Sequence, residues 1–240
     1  MSVPLARTEL RPFDTLGAAN HGWLDAHHHF SFASYHDPSR MNWGAIRVWN
    51  DDVIQAKSGF PAHPHSDMEI ITYVRDGAIT HKDNLGNEGR TEAGDVQVMS
   101  AGTGVTHSEY NLEDVETRIF QIWILPSARG GEPSWNAKPF PKGDRAGQLQ
   151  LLASGDAGED VLPIRANSRV YGATLNKGDR IIHKIGEGNR AYLVPAKGRL
   201  TVNGVEVAAR DGLALFEGAV EISADEISEF VLVETAMLAH

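Results

Sequence analysis

Residues of the kinds that bind metal ions occur as two closely spaced pairs in the first half of the chain. His63 and His65 are separated by one residue, and so are His107 and Glu109. On an extended strand, residues two positions apart point to the same face, so two strands could present four ligands to one ion. Imidazole and carboxylate groups suit zinc, iron, nickel, copper and manganese. The spacing therefore predicts a metal site held by nitrogen and oxygen.

The identity of the fourth ligand stays open, because the sequence offers a second carboxylate. Glu69 has the same strand parity as His63 and His65, so spacing alone does not choose between Glu69 and Glu109. Three imidazoles and one carboxylate would leave two positions of an octahedral ion free for water, dioxygen or a substrate. An open position of this kind is typical of a catalytic site rather than a structural one.

Composition limits what else the chain could do. It has 240 residues, a net charge of -10 and no cysteine. The absence of cysteine excludes disulfides and thiolate ligands, and the acidic balance disfavours direct binding to nucleic acid. The first residues contain no apolar run of signal-peptide length, and no stretch is long enough to span a membrane. We expect a cytoplasmic protein, and a monomer.

Short apolar runs separated by turn residues predict an all-β protein. The clearest strands are expected at 45–49, 68–74, 95–99, 118–124, 148–153, 169–175, 190–194, 200–202 and 229–234. Residues 126–147 are rich in Ser, Pro, Gly and Lys and show no apolar alternation that would place them in a sheet. We therefore expect an N-terminal metal-binding domain over residues 1–130, a linker over 131–147 and a C-terminal domain over 148–240.

The two sides of the predicted linker resemble each other. Tyr73–Gly77 with the later run at Gly94–Gly102 resembles Tyr192–Gly198 with the run at Asp211–Gly218. An internal duplication of a β unit fits this likeness. Because the second copy has no paired histidines, we expect it to be a degenerate domain without the metal site.

The same residues carry a family resemblance. The segments GFPAHPHSDMEIITYV and SAGTGVTHSEYN resemble the two sequence motifs of cupins, and more narrowly those of the pirin family of bicupins. The match extends over residues 10 to 140 and is looser in the C-terminal half. It implies an all-β bicupin of two antiparallel, jelly-roll-like β-barrel domains.

The resemblance also implies a cofactor and an activity. In that family the metal is held by the residues that match His63, His65, His107 and Glu109, with Glu69 expected to orient an imidazole from outside the ligand set. The cofactor would be one divalent transition metal, iron first, with manganese, nickel, cobalt, copper or zinc as alternatives. The implied enzyme is a quercetin 2,3-dioxygenase that acts on a small aromatic substrate with O2, and Glu109 would be its general base.

Two other functions stay open from the sequence. One is a redox- or metal-sensing regulatory protein that binds protein partners without turnover, although its net acidity argues against docking on DNA complexes. The other is a sugar-isomerase-like cupin that needs no O2.

Three further histidines lie outside these pairs. His81, His183 and His240 show no paired partner at ligand spacing, so we treat them as surface or structural residues.

Overall fold

The structure, a computed structural model, describes residues 3–139, 146–156, 158 and 160–238. Its first strands are β1 (Thr8–Arg11), β2 (Gly17–Asn20), β3 (Leu24–His28), β4 (Ile46–Ile54), β5 (Ser58–His65), β6 (Glu69–Asp76), β7 (Ala78–Asp83), β8 (Glu88–Glu92), β9 (Val96–Ser100), β10 (Val105–Asn111), β11 (Thr117–Ile124) and β12 (Ser134–Lys138). The later strands are β13 (Gln150–Ser154), β14 (Leu162–Pro163), β15 (Ser168–Leu175), β16 (Arg180–Ile185), β17 (Asn189–Lys197), β18 (Arg199–Val202), β19 (Val205–Ala208), β20 (Gly212–Leu215), β21 (Gly218–Ala224) and β22 (Ser228–Ala236). The helical segments within these described ranges are two 3-10 turns, Phe13–Thr15 and Pro38–Arg40, and no described helix could cross a membrane.

Each half of the chain contributes one large and one small sheet. The first half forms a seven-stranded sheet in the order β12-β9-β6-β11-β4-β3-β2 and a four-stranded sheet in the order β5-β10-β7-β8. The second half repeats the plan with β1-β20-β17-β22-β15-β13-β14 and β16-β21-β18-β19. In the first half, Ile119 of the large sheet and Ile79 of the small sheet belong to one buried cluster, so the two sheets face each other.

This architecture confirms the all-β prediction and the bicupin expectation. The nine expected strands all coincide with observed ones to within a few residues. The halves differ from closed barrels, because each is a pair of facing sheets. The facing sheets enclose the interior of each half, and the first interior contains the candidate site.

One strand pairs outside the half that sequence order would suggest, and another lies within the expected linker. β1 pairs antiparallel with β20, and β12 pairs with β9 through partners such as Trp135 and Met99. The expectation that residues 126–147 hold no strand is therefore wrong for Ser134–Lys138. An edge strand needs only backbone hydrogen bonds on one side, so it need not show apolar alternation. Residues 140–145 of the expected linker lie outside the described residues.

The two large sheets pack back to back. Alternate residues of β6 and β11 that point away from the first interior, such as Ile71 and Phe120, meet Val194 and Val231 of the second half in one buried cluster. Because both faces of these strands are buried, their sequences read as nearly continuous apolar runs. This shared core joins the halves and holds the large sheet of the first half rigid.

Trp49 of β4 lies at the centre of that shared core. Its ring is fully buried, with its centroid 5.7 Å from that of Phe120 and 5.5 Å from that of Tyr192. Its Nε1 atom is buried without a hydrogen-bond partner.

We expect Trp49→Ala to lower the free energy of unfolding by about 3–5 kcal/mol, because the cavity it leaves removes contacts from both halves. Trp49→Phe is the matched control, since it keeps a ring and removes the unpaired N–H group, and it should cost much less. Denaturant unfolding followed by fluorescence and circular dichroism would measure both. A loss below about 1 kcal/mol in the alanine variant would contradict this account of the core.

A polar contact also joins the halves. The hydroxyl group of Tyr73 on β6 donates to Oε1 of Glu229 on β22. Burial raises the pKa of the Glu229 carboxyl group to about 7. The folded protein therefore holds a proton on Glu229 at pH values where the unfolded chain has released it.

This raised pKa makes stability depend on pH. The stability contributed by protonated Glu229 is complete below the unfolded pKa of about 4.3 and is lost as pH rises through about 7. Relative to Glu229→Gln, the wild type should lose on the order of 2–3 kcal/mol between pH 4.5 and pH 8, allowing for partial exposure of the group. Unfolding midpoints across this range would test it, with the exposed Glu226→Gln as control. Parallel pH curves for wild type and Glu229→Gln would contradict the prediction.

Candidate metal centre

Three histidines from two adjacent strands converge in the first half. β5 and β10 pair antiparallel, with His63 directly opposite His107 and His65 opposite Val105. One ring nitrogen from each of His63, His65 and His107 lies within 4.8 Å of the other two. The register of the two strands therefore brings three of the four expected ligands, the histidines, close together.

The hydrogen bonds around these rings fix which nitrogen is available. His63 Nδ1 lies 2.7 Å from the carbonyl oxygen of Pro61, so Nδ1 carries the proton and Nε2 keeps its lone pair. His107 is 2% exposed, and its Nε2 atom is buried without a hydrogen-bond partner. A buried nitrogen left unpaired is costly unless a ligand engages it. This donor set fits a transition-metal ion, which prefers neutral imidazole nitrogen.

His107 is backed by a second histidine that the sequence reasoning set aside. Its Nδ1 atom lies 3.3 Å from His81 Nδ1, and His81 Nε2 lies 3.1 Å from Asp83 Oδ2. One set of tautomers satisfies both hydrogen bonds: His107 Nδ1–H donates to His81, and His81 Nε2–H donates to Asp83. Trp135 of β12 stacks on His81 at 4.8 Å between ring centroids. Of the two roles expected for His81, surface or structural, it therefore takes the second, as a buried partner of the site.

The sequence contained a signal for the hydrogen bonds that link His107, His81 and Asp83. His81 and Asp83 are two residues apart on β7, which is the same spacing that identified the other pairs. The carboxylate was missed because His81 was compared only with other histidines. His183 also has a partner, Glu234 in the second half at 2.8 Å, and His240 lies outside the described residues.

Burial favours the neutral form of His65, His81 and His107. Burial, and then the neighbouring rings, lower the pKa of His107 to about 3 and that of His65 to about 4. Burial also lowers the pKa of His81, opposed by Asp83. His65 and His107 therefore keep free lone pairs in the neutral range, which is the state required of a metal ligand.

The fourth residue of the expected set, Glu109, reaches across to the opposite sheet. Its Oε1 atom accepts from Thr72 Oγ1 at 2.9 Å and from Gln97 Nε2 at 2.6 Å, and its Oε2 accepts from Gln121 Nε2 at 2.7 Å. The residue is 1% exposed and does not belong to the close group formed by the three histidines. Burial raises the pKa of its carboxyl group to about 7, opposed by these hydrogen bonds.

These donors form one row across the large sheet. Gln121 of β11 lies opposite Thr72 of β6, and Thr72 lies opposite Gln97 of β9. On the other side Gln121 lies opposite Asn50 of β4, which in turn lies opposite His28 of β3. Polar side chains thus cross the inner face of a sheet whose other inward residues are largely apolar. Sequence reasoning did not find this row because it exists only in the cross-strand register.

Glu69 does not play the role expected of it. It begins β6 in the large sheet, and its Oε2 atom accepts from Ser100 Oγ at 2.5 Å and from the backbone N–H of Arg165 at 3.0 Å. No hydrogen bond within the described ranges joins its carboxyl group to an imidazole. Strand parity was a poor guide here because β5 and β6 belong to different sheets. Glu69 instead ties the first half to the second.

Two facing-sheet halves, with a histidine cluster inside only the first of them among the described residues, define a bicupin with one candidate metal centre. Residues 9–124 match the sequence model of the Pirin family, and residues 151–235 match that of the quercetinase C-terminal cupin domain. The chain belongs to the pirin family.

Individual relatives extend this result over nearly the whole length. A pirin-like protein of Caulobacter vibrioides is 63% identical over 228 residues, covering 94% of this chain and 98% of the relative. The quercetin 2,3-dioxygenase of Escherichia coli K12 is 44% identical over 225 residues, covering 93% and 96%. The crystal structure of the bacterial pirin YhhW from E. coli in complex with nickel(II) superimposes with a TM-score of 0.90 at 42% identity, covering 97% of this chain and 100% of that one.

Proposed function

We propose that the protein is a metal-dependent dioxygenase that cleaves flavonols such as quercetin with O2. The observation that carries the proposal is the convergence of three imidazoles, with the Nε2 atom of His107 buried and unpaired. The substrate class is supported by a relative named quercetin 2,3-dioxygenase at 44% identity. In this reaction O2 enters the heterocyclic ring of the flavonol and carbon monoxide is released.

His63, His65 and His107 would hold the ion, and Glu109 would complete the set. An ionised carboxylate has about four lone-pair sites. Two donors occupy Oε1 of Glu109 and one occupies Oε2, so one site on Oε2 remains. That single site is what Glu109 can offer to an ion or a proton.

The bound ion would act as a Lewis acid that lowers the pKa of the flavonol 3-hydroxyl group. Glu109 would accept the released proton at the one free site on Oε2, so it would serve as ligand and as base in turn and not at the same time. Without an ion, burial raises the pKa of the Glu109 carboxyl group to about 7, and a general base works best when its pKa lies near the operating pH. Thr72, Gln97 and Gln121 hold the carboxylate in place and would keep it oriented when the proton arrives.

The Asp83–His81–His107 chain would orient the buried ligand and fix its tautomer. Loss of such outer partners lowers metal affinity by about 10–100-fold. We expect this loss in His81→Phe, which removes the acceptor nitrogen but keeps a flat ring against Trp135, and a similar loss in Asp83→Asn.

Competition with a chelator of known affinity would measure these dissociation constants. His183→Phe is the matched control, because it breaks a histidine–carboxylate pair in the second half and should leave affinity unchanged. Wild-type metal affinity in His81→Phe would show that the hydrogen bonds from His81 and Asp83 do not support His107 as a ligand.

The activity itself is tested by adding quercetin to protein loaded separately with iron, manganese, nickel, cobalt, copper and zinc. Loss of flavonol absorbance should match O2 uptake and carbon monoxide release. No turnover in any loaded form would overturn the proposal, and a metal-dependent change in protein binding without turnover would favour the regulatory alternative.

A further inference from the structure

A small cavity lies inside the first half beside the candidate metal centre. It has a volume of about 180 Å³ and lies between the inner faces of β3, β4 and β11 and the side chain of Phe60 on β5. Leu24, Phe32 and Phe60 supply apolar walls, and Asp52 and Gln121 supply polar groups. Concave, mostly apolar space with a few polar groups is typical of small-molecule sites.

Asp52 is the unusual member of this lining. It is 1% exposed, and its Oδ1 atom is buried without a hydrogen-bond partner. The adjacent Asp51 points to the other face of the sheet, where Arg75 and Arg210 pair with it. Only one of two consecutive buried carboxyl groups is therefore compensated by the protein itself.

The state of Asp52 follows from its surroundings. Burial raises its pKa well above the usual range, and the negative charges of Asp51 and Glu109 raise it further, opposed by Arg75. A shift in this direction favours the protonated carboxyl group, which carries an O–H donor. A buried acid of this kind can donate a hydrogen bond to a ligand oxygen.

Neighbouring polar groups define the rest of the lining. His28 Nδ1 lies 2.8 Å from Oδ1 of Asn50, which fixes the Asn50 side chain beside Asp52. Gln121 lines the cavity and donates to Glu109 Oε2 at 2.7 Å. A molecule in the cavity would therefore lie one side chain away from the proposed base.

The volume limits what the cavity can hold. An apolar cavity of about 150 Å³ takes one benzene molecule, so about 180 Å³ suits one substituted six-membered ring and excludes a complete flavonol. Aromatic walls at Phe32 and Phe60 suit the faces or edges of such a ring.

We propose that this cavity is a subsite for a single hydroxylated aromatic ring, and that Asp52 hydrogen-bonds the hydroxyl group of that ring. Asp52 is then a specificity-determining residue that admits phenolic rings in preference to apolar ones. As a substrate subsite the cavity rests on the proposed dioxygenase function, whereas ring binding itself does not.

The test compares phenol with toluene, which are similar in size and differ in the hydroxyl group. Neither chelates a metal through two oxygens, so both can be titrated into the full-length protein with and without its metal, by calorimetry or ligand-observed NMR. Wild type should bind phenol about tenfold more tightly than toluene. Asp52→Leu should reverse that preference.

Two further variants make the result interpretable. Asp52→Asn is nearly isosteric and keeps a hydrogen-bonding group, so it should retain phenol binding to within about threefold. Asp76→Asn changes an exposed aspartate at the end of β6, outside the cavity lining, and should change nothing. If Asp52→Leu fails to fold, the comparison of phenol and toluene in wild type and Asp52→Asn still decides the matter.

Equal affinity for phenol and toluene in wild type, unchanged preference in Asp52→Leu, or no binding of either probe would each overturn the inference. These outcomes are separable from failure of the proposed function. Phenol binding with no flavonol turnover would contradict the dioxygenase proposal and support the subsite. Flavonol turnover without phenol binding would support the dioxygenase proposal and contradict the subsite.

Discussion

His107→Ala should abolish tight metal binding and, with it, flavonol cleavage. The change removes one of three converging nitrogens, and it removes the one that the fold has buried and left unpaired. The dissociation constant of the ion should rise by more than about a hundredfold, since even an outer partner of a ligand contributes up to that factor. Metal content after purification and chelator competition would measure the loss.

Thermal unfolding gives an independent measure of the same change. An ion present at about a thousand times its dissociation constant stabilises the folded state by about 4 kcal/mol. For a chain of this length that corresponds to a rise in Tm of about 8–16 °C. Wild type should show this rise on loading, and His107→Ala should not.

The control is His183→Ala, which alters a strand histidine with a carboxylate partner in the second half. It should show the full rise in Tm and full metal content. Stoichiometric metal in His107→Ala at wild-type affinity would exclude His107 as a ligand, and with it the proposed centre.

The histidine cluster could be predicted from the sequence because its signal is local. Residues two apart on a strand share a face, so the rule predicts the pairs His63 with His65 and His107 with Glu109, and the three histidines do lie close together. The same rule could not exclude Glu69, because it takes no account of the change of sheet between β5 and β6.

The surroundings of the site depend on register, which local pattern does not contain. The donors to Glu109 come from β6, β9 and β11 and are aligned only by pairing across the large sheet. The pairing of β1 with β20 joins segments about two hundred residues apart, so no local turn signal predicts it. The domain limits 1–130 and 148–240 stay a prediction. β1 pairs with the second half, and β12 lies beyond residue 130 but pairs with β9, so composition alone is a weak guide to these limits.

Glu109→Gln should lower kcat by about 10²–10⁴-fold when measured at saturating metal, because an amide cannot accept the hydroxyl proton. The variant should still fold, since the amide oxygen can accept from Thr72 and Gln97 while Gln121 turns its own oxygen toward the new NH2 group. Metal affinity should fall but remain measurable, because three imidazoles still hold the ion. Steady-state kinetics with quercetin at several metal concentrations would separate the two effects.

Glu69→Gln is the matched control for this prediction. Both glutamates are 1% exposed and both accept hydrogen bonds from neighbouring strands or loops, but Glu69 is bonded to Ser100 and Arg165 at the junction of the two halves. It should leave kcat and metal content within about threefold of wild type, because it touches neither the ligands nor the substrate. Full turnover in Glu109→Gln at saturating metal would remove Glu109 as the base. Loss of metal in Glu69→Gln with retention in Glu109→Gln would instead move the fourth ligand to Glu69, and would require the first residues of β6 to turn toward β5 when the ion binds.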